Sequence, residues 1–410
     1  MNIYRVAYLL FSIFITMVYL VPQVRALFPL DRIAFLTFAY AIIYIFPKKE
    51  ITIWKRSLLY ITPFVLIMYL VTWNIDFHYG FLLTVMNMWI YLFPGFLLAS
   101  LITRNNKIEQ ISFGIALLVI LAVIMSSSYN AMQENEVIMR SLANGNIDDD
   151  VKNYYIAMGV GGYGFSYATG LLTIAMFAGY SLSNKKLIKY IALASFAILF
   201  FFVLTTKYAT LLVCTFVALM SIIFIKSKRT NKVIIIILAP LQDFAFGLIF
   251  PLIINALGDS VLTSRLQEVY MAFYGGGVGQ DSDMASRAYY REQCLSNIIT
   301  SPIWGHNTTG DLRHLYTHAH STFWSYFLGT GLIGIISYMM TYWMVLRNGF
   351  CHLKNDKVVR VFLIPSYIYF FMLAFFNATE YTEIAFALLF VVPFICNFIF
   401  KNISYETLEK

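Results

Sequence analysis

The chain has 410 residues, 60% hydrophobic and 12% charged, against about 25% charged in soluble domains, so composition excludes a soluble globular protein. A net charge of +8 would suit a nucleic-acid partner, but its distribution along the chain gives another origin, described below. The four cysteines form no disulfide framework: Cys214 and Cys396 lie in apolar segments, Cys351 in a basic loop and Cys294 in a long polar loop.

In chain order, the first apolar run, 5–22, lacks a small-residue cleavage site and reads as a retained helix, not a cleaved signal. Further runs fall at 31–47 (a short one), 56–73, 81–103 and 109–127. After an acidic loop around 134–152 comes a run at 156–182 that holds Gly159, Gly161, Gly162, Gly164 and Gly170, glycines that serve either close helix packing or a hinge. Runs at 187–205 and 207–225 are joined by almost no loop, only Thr205-Thr206-Lys207-Tyr208, where Lys207 is a lone cation able to snorkel to lipid phosphate. The run at 233–256 carries Asp243 between Pro240 and Gly247, with Pro251 beyond. A carboxylate at that depth marks either a proton or substrate pathway or a buried group satisfied by a neighbouring helix. Three last runs, 321–346, 358–377 and 382–400, follow a long polar loop. Each run approaches the roughly 20 residues a bilayer crossing needs. The expected fold is therefore an all-α integral membrane protein of about 12 transmembrane helices. It divides into an N-terminal bundle of about nine helices (1–256), one large outer loop containing short helices (257–320) and C-terminal transmembrane helices (321–410).

The basic residues sort by side. Alternate turns hold Lys48, Lys49, Lys55 and Arg56; Arg104 and Lys107; Lys185, Lys186 and Lys189; Lys226, Lys228, Arg229 and Lys232; and Arg347, Lys354, Lys357 and Arg360. With Arg5, Lys401 and Lys410, that side has 20 of the 29 Lys and Arg, while the other has nine of them and fifteen of the 21 acidic residues. The positive-inside rule puts both termini in the cytoplasm and the 257–320 loop outside. No nucleic acid is needed to account for the charge.

The loop holds His306, His314, His318 and His320, together with Arg265, Arg287, Arg291 and Arg313. Within it, Asp281-Ser282-Asp283 offers helix caps and Ser301-Pro302 a stop, so 284–300 is predicted to be an amphipathic helix. At 100° per residue Met284, Ala288, Leu295, Ile298 and Ile299 share a stripe, with Arg291 inside it and Arg287 on its margin. Such arginines either bind an anion, phosphate fitting their fork, or touch lipid headgroups from a surface-lying helix. His314, His318 and His320 could be metal ligands, but no carboxylate or cysteine stands at a ligand spacing beside them. As a general base, a histidine near neutral pKa suits a hydroxyl proton, and His320, at the mouth of the following helix, is the best placed. The structural alternative is an interfacial histidine bonded to a neighbouring loop.

His320-Ser321, nine residues, then Gly331-Leu332-Ile333-Gly334 resembles the signature of the O-antigen ligase and polymerase superfamily. Ser286-Arg287 followed by Ser301-Pro302-Ile303-Trp304-Gly305 is similar to a second stretch of that superfamily, a loop helix ending in Pro-x-x-Gly. The Thr205-Thr206-Lys207 turn resembles its outer Ser-Arg turn, with lysine in place of an arginine that could bind two oxygens at once. The specific motifs cover 285–334, and the remainder is similar in architecture only.

The resemblance implies a glycosyltransferase that uses an undecaprenyl-diphosphate-linked oligosaccharide, in the bacterial cytoplasmic (inner) membrane. It implies His320 as base, with Arg287 also at the reacting centre. The leaving diphosphate would be held by Arg291, Lys207 and Arg265. Ser321, Gly331, Gly334, Pro302 and Gly305 would be structural motif residues, the glycines letting another helix pack close beneath the site. Membrane lipids and a chain-length regulator are the expected partners, and neither metal nor cofactor is implied. A Wzy-type O-antigen or capsular polysaccharide polymerase is the leading expectation. An O-antigen ligase acting on lipid A core or protein is the alternative, and a lipid-linked glycan transporter or flippase is an alternative of another class.

Overall fold

A computed structural model describes residues 3–29, 52–71, 88–96, 107–135, 138–144, 148–206, 208–227, 283–306, 321–351, 355–379 and 381–404, with a few single positions between them. These residues are mostly helical, and no strand occurs among them. In order they form α1 (Ile3–Leu20), α2 (Pro22–Leu27), α3 (Thr52–Val71), α4 (Lys107–Glu134), α5 (Ile138–Asn144), α6 (Asp149–Ala157), α7 (Tyr163–Leu182), α8 (Lys186–Thr205), α9 (Ala209–Lys226), α10 (Asp283–Thr300), α11 (Thr322–Gly349), α12 (Asp356–Phe376), α13 (Thr382–Phe386) and α14 (Val392–Ser404). A π-helical turn, Ala387–Val391, joins the last two. Seven stretches among the described residues are long and apolar enough to cross a membrane: α4, α7, α8, α9, α11, α12 and Thr382–Phe400. The chain is a multi-pass helical membrane protein. The predicted runs at 31–47 and 233–256, the latter with Asp243, fall almost wholly outside the described residues.

Burial separates the helices into layers. From Ile384 to Val392 every side chain is buried, so α13, the π turn and the start of α14 form the axis of the bundle. Helix α7 packs beside that axis, whereas α8 and α9 expose Leu187, Ile191, Ile198, Phe201, Phe216 and Met220 on their outer faces. Apolar side chains in that position face hydrocarbon at no cost, because lipid is as apolar as they are.

Close approach to the axis depends on small residues. Added Cβ atoms at Gly164, Gly170 and Gly179 would strike Glu383, Tyr369 and Ile399, so these glycines serve packing between segments. That run also starts later than expected: α6 ends at Ala157, Gly159 turns the chain at φ 79°, and α7 begins at Tyr163. Pro393 has no N–H to donate to Leu389, and the π turn lies just before it. Gly349 passes this point, where a Cβ would come within 2.8 Å of Pro393.

Helix α11 is not the straight span that its length suggests. Gly331 sits at φ 61°, ψ −165°, a conformation open to glycine alone, and divides the helix into a short arm, 322–330, and a long arm, 332–349. The rings of Tyr326 and Tyr338, twelve residues apart, would be offset by about 18 Å along a straight helix. Their centroids lie 4.5 Å apart, so the arms fold sharply together. The 301–306 turn fits into the break: Leu332 N–H donates to the Pro302 carbonyl (2.9 Å), Ile333 N–H to Ile303 (3.3 Å), and His306 N–H to Leu328 (2.7 Å). In an unbroken helix these three groups would have been satisfied within α11, so the turn replaces the missing ladder. Gly305, at φ 75°, lies so close to residues 329–331 that a Cβ would collide with their backbone, and one on Gly331 would collide with the Ile303 carbonyl.

Substituting either glycine forces a side-chain carbon against the facing backbone. Gly331→Ala and Gly305→Ala are each expected to cost about 1–3 kcal/mol. Gly114→Ala, on α4 with open space around it, should be neutral or slightly stabilising. Thermal unfolding of the three purified variants in detergent checks this ordering.

Candidate functional site

The helix ends fall at two poles. At one, Lys226 of α9 donates to the Ser181 carbonyl of α7, within range of the charges of Lys189 and Lys357. Arg56 and Cys351 neighbour each other at the ends of α3 and α11. These are turns that the sequence placed together on the basic side. The opposite pole gathers the starts of α7, α9, α11 and α13 with the end of α12, and here the candidate site is found.

The core of the site is the C-terminus of α12. The last carbonyls of a helix have no partner within it. Ser321 caps the short arm of α11 by accepting from Trp324 N–H, and its hydroxyl lies 2.9 Å from the Ala374 carbonyl and 2.8 Å from that of Phe375. Arg291 Nη2 donates to the Phe376 carbonyl at 3.0 Å, with the guanidinium over the Phe376 ring. The Asn377 carbonyl accepts from Thr322 N–H at 3.2 Å. A cation at a helix C-terminus also meets the negative end of the helix dipole. One helix end therefore joins the arginine-bearing loop helix to the residue that follows His320.

The hydrogen bonds continue inward and sideways. Thr322 Oγ1 accepts from Thr379 N–H at 2.8 Å, and Thr379 Oγ1 lies 3.3 Å from Tyr338 Oη. Asn377 Nδ2 donates to Tyr167 Oη at 3.0 Å. The Tyr167 ring stacks with Tyr163, whose centroid is 4.8 Å from that of Tyr208. Tyr208 closes the tight turn between α8 and α9. At the head of α13, buried Glu383 meets Arg25 of α2, Nη1 to Oε1 2.5 Å.

Helix α10 spans Asp283–Thr300, as its caps predicted, and only part of its apolar stripe packs on protein among the described residues. Cys294 and Ile298 are buried with Leu328 against Tyr290, Trp324 and Phe327, while Leu295 and Ile299 are exposed. The aromatic side chains of the short arm select the buried face, and periodicity within α10 could not reveal them. Burial pushes the Cys294 thiol up to about 11, with the charge of Arg291 pulling the other way. His306 has a structural role: its Nε2 lies 2.6 Å from the Asn297 carbonyl and 2.7 Å from Thr300 Oγ1, closing the end of α10.

Of the residues expected from sequence, Ser321 and Arg291 meet at α12, and Pro302, Gly305 and Gly331 meet at the break. Arg287 precedes Arg291 by one turn of α10. The glycine motif serves a loop turn and not a neighbouring helix: Gly331 receives residues 302–306, and an added Cβ at Gly334 would strike Thr330 of its own helix. His320, His314, His318, Arg265 and Lys207 lie outside the described residues. Sequence reasoning missed Arg25, Glu383, Thr379 and Asn377. Glu383 carried a signal, as a lone carboxylate heading an otherwise apolar run. Compared with family models and with curated proteins, the chain matches none.

The packing of α10 on the short arm can be read chemically. A thiol buried and protonated up to about pH 11 should resist maleimide at pH 8, where exposed Cys351 reacts. Trp324→Ala, which strips the cover from Cys294, should raise its labelling severalfold, as mass spectrometry of the alkylated protein would show.

Proposed function

We propose that the chain is a glycosyltransferase of the bacterial cytoplasmic membrane, polymerising undecaprenyl-diphosphate-linked oligosaccharide repeat units at the outer face. The observation that carries this reading is the meeting of Arg291 and Ser321 on the C-terminal carbonyls of α12. It brings a cationic loop helix and the residue next to His320 to one point, as a reaction joining a base and a diphosphate-binding group requires.

In the proposed reaction a hydroxyl of the acceptor glycan attacks the anomeric carbon of the donor. The new glycosidic bond forms as the bond to the lipid diphosphate breaks. His320 takes the hydroxyl proton, and the departing diphosphate keeps the bonding electrons. Its developing charge needs fixed cations, the role assigned to Arg287, Arg291, Lys207 and Arg265. The polar groups around α12, namely Asn377, Thr379, Thr322 and the tyrosines of α7 and α9, suit a ligand carrying many hydroxyls. Both termini lie in the cytoplasm in this reading, since the basic turns share the pole opposite the site. A chain-length regulator would dock from the same outer side.

The decisive experiment is a gel of surface glycan from a deletion strain complemented with wild type or with His320→Ala. Wild type should restore a ladder, and His320→Ala should give a single repeat unit still attached to its acceptor. Free lipid-linked polymer would mean a ligase. Repeat units left on the inner leaflet would mean a transporter, and an unchanged ladder with His320→Ala would overturn the assignment of the base.

A further inference from the structure

Helix α2 is a short bridge at the site pole, and both its polar side chains are anchored. Gln23 donates to the Ala157 carbonyl at 2.8 Å, at the turn between α6 and α7, and Gly159 leaves room for its amide. One turn's reach away, Arg25 meets Glu383. The partners differ in exposure: the Glu383 side chain is 7% exposed and that of Arg25 33%. Glu383 is held tightly, with Oε2 3.4 Å from Thr382 Oγ1 and so close to Gly164 that a Cβ there would come within 2.7 Å. The contact between Arg25 and Glu383 runs through Nη1 and Oε1. The other guanidinium donors of Arg25 meet no acceptor among the described residues.

Among the described residues this is a guanidinium fixed from behind by a buried carboxylate, with a third of its side chain exposed. A bond made only to orient α2 would be served as well by a lysine or an amide. The planar fork is what distinguishes arginine, and it matches two oxygens of a phosphoryl group at once. Fixing it beforehand removes the side-chain entropy that a free surface arginine loses on binding. Its place is also specific. Gly164, which accommodates Glu383, follows Tyr163, whose ring leads through Tyr167 to Asn377 and so to the carbonyls that hold Arg291 and Ser321.

We infer that Arg25 is a diphosphate-binding residue of this site, contributed by the N-terminal part of the chain, and that Glu383 is its positioning residue. The ligand is the diphosphate of a polyprenyl-diphosphate substrate, so the inference rests on the reading under Proposed function. It extends the anion-binding set beyond the large loop.

The test measures binding of undecaprenyl diphosphate, with undecaprenyl monophosphate and undecaprenol as controls, to the full-length protein in detergent, with thermal stability recorded for every variant. Arg25→Lys keeps the ion pair but loses the fork. It should remain as stable as wild type and bind undecaprenyl diphosphate about tenfold more weakly, with little change for the monophosphate. Glu383→Gln should weaken diphosphate binding in the same sense. The exchange Arg25→Glu with Glu383→Arg should recover stability without recovering binding, because the guanidinium then sits at the buried position. Wild-type binding by Arg25→Lys, or recovery of both binding and stability by the exchange, would show a structural latch and overturn the inference alone. If the wild-type protein binds undecaprenyl diphosphate no better than undecaprenol, the proposed donor class fails and the inference fails with it.

Discussion

The structure around the site depends on one broken hydrogen-bond ladder. Gly331 leaves helical geometry, and the N–H groups of Leu332 and Ile333 and the carbonyl of Leu328 lose their partners within α11. In an apolar setting each such group costs several kcal/mol if left bare. The 301–306 turn supplies the missing partners. That exchange fixes the turn after α10 to the middle of α11, and it requires glycine on both sides because the two backbones touch. A turn anchored in this way is part of the scaffold, and α10, which it ends, is held with it.

The break has a second consequence. It folds the short arm of α11 onto the long arm, so that Ser321 and Thr322 arrive beside the end of α12. A helix C-terminus in a membrane protein must find donors for its carbonyls. Here they come from a hydroxyl, a guanidinium and a backbone N–H belonging to two other segments. Satisfying that helix end and assembling the candidate site are the same event. In the proposed glycosyl transfer, the groups that hold substrate would rest on this shared anchor.

The axis of the bundle gives the site its second side. Residues 382–400 are enclosed by α1, α7, α11 and α12, with Tyr19 stacked on Phe386 and Phe96 and Phe113 set against Phe390 and Phe394. Close packing along such a length leaves no freedom to its first turn. Glu383 is therefore fixed in place, and through it Arg25. A segment from the start of the chain and one from its end thereby contribute to the same pole.

The sequence by itself determined the class of protein, the long apolar helices found among the described residues, the limits of α10 and the company of Lys189, Lys226 and Lys357. Each of these follows from composition, local periodicity and capping, which act within one segment. Ser321 and the residues Pro302, Gly305 and Gly331 were also legible, as a pattern, though their purpose was not: two stretches 26 residues apart, Gly305 and Gly331, meet only because a helix breaks between its arms. The apolar stripe of α10 was legible, but not which of its residues meet protein: Ile298 packs with Cys294 against the short arm while Leu295 and Ile299 do not, since the aromatic side chains that choose the packed face lie on that arm. Arg25 with Glu383, and Asn377 with Tyr167, were decided by tertiary structure alone. Such pairs join residues hundreds of positions apart, and no signal in either segment specifies the other. Only the packing of α2, α7, α12 and α13 around a common end brings their charges and hydroxyls within bonding distance.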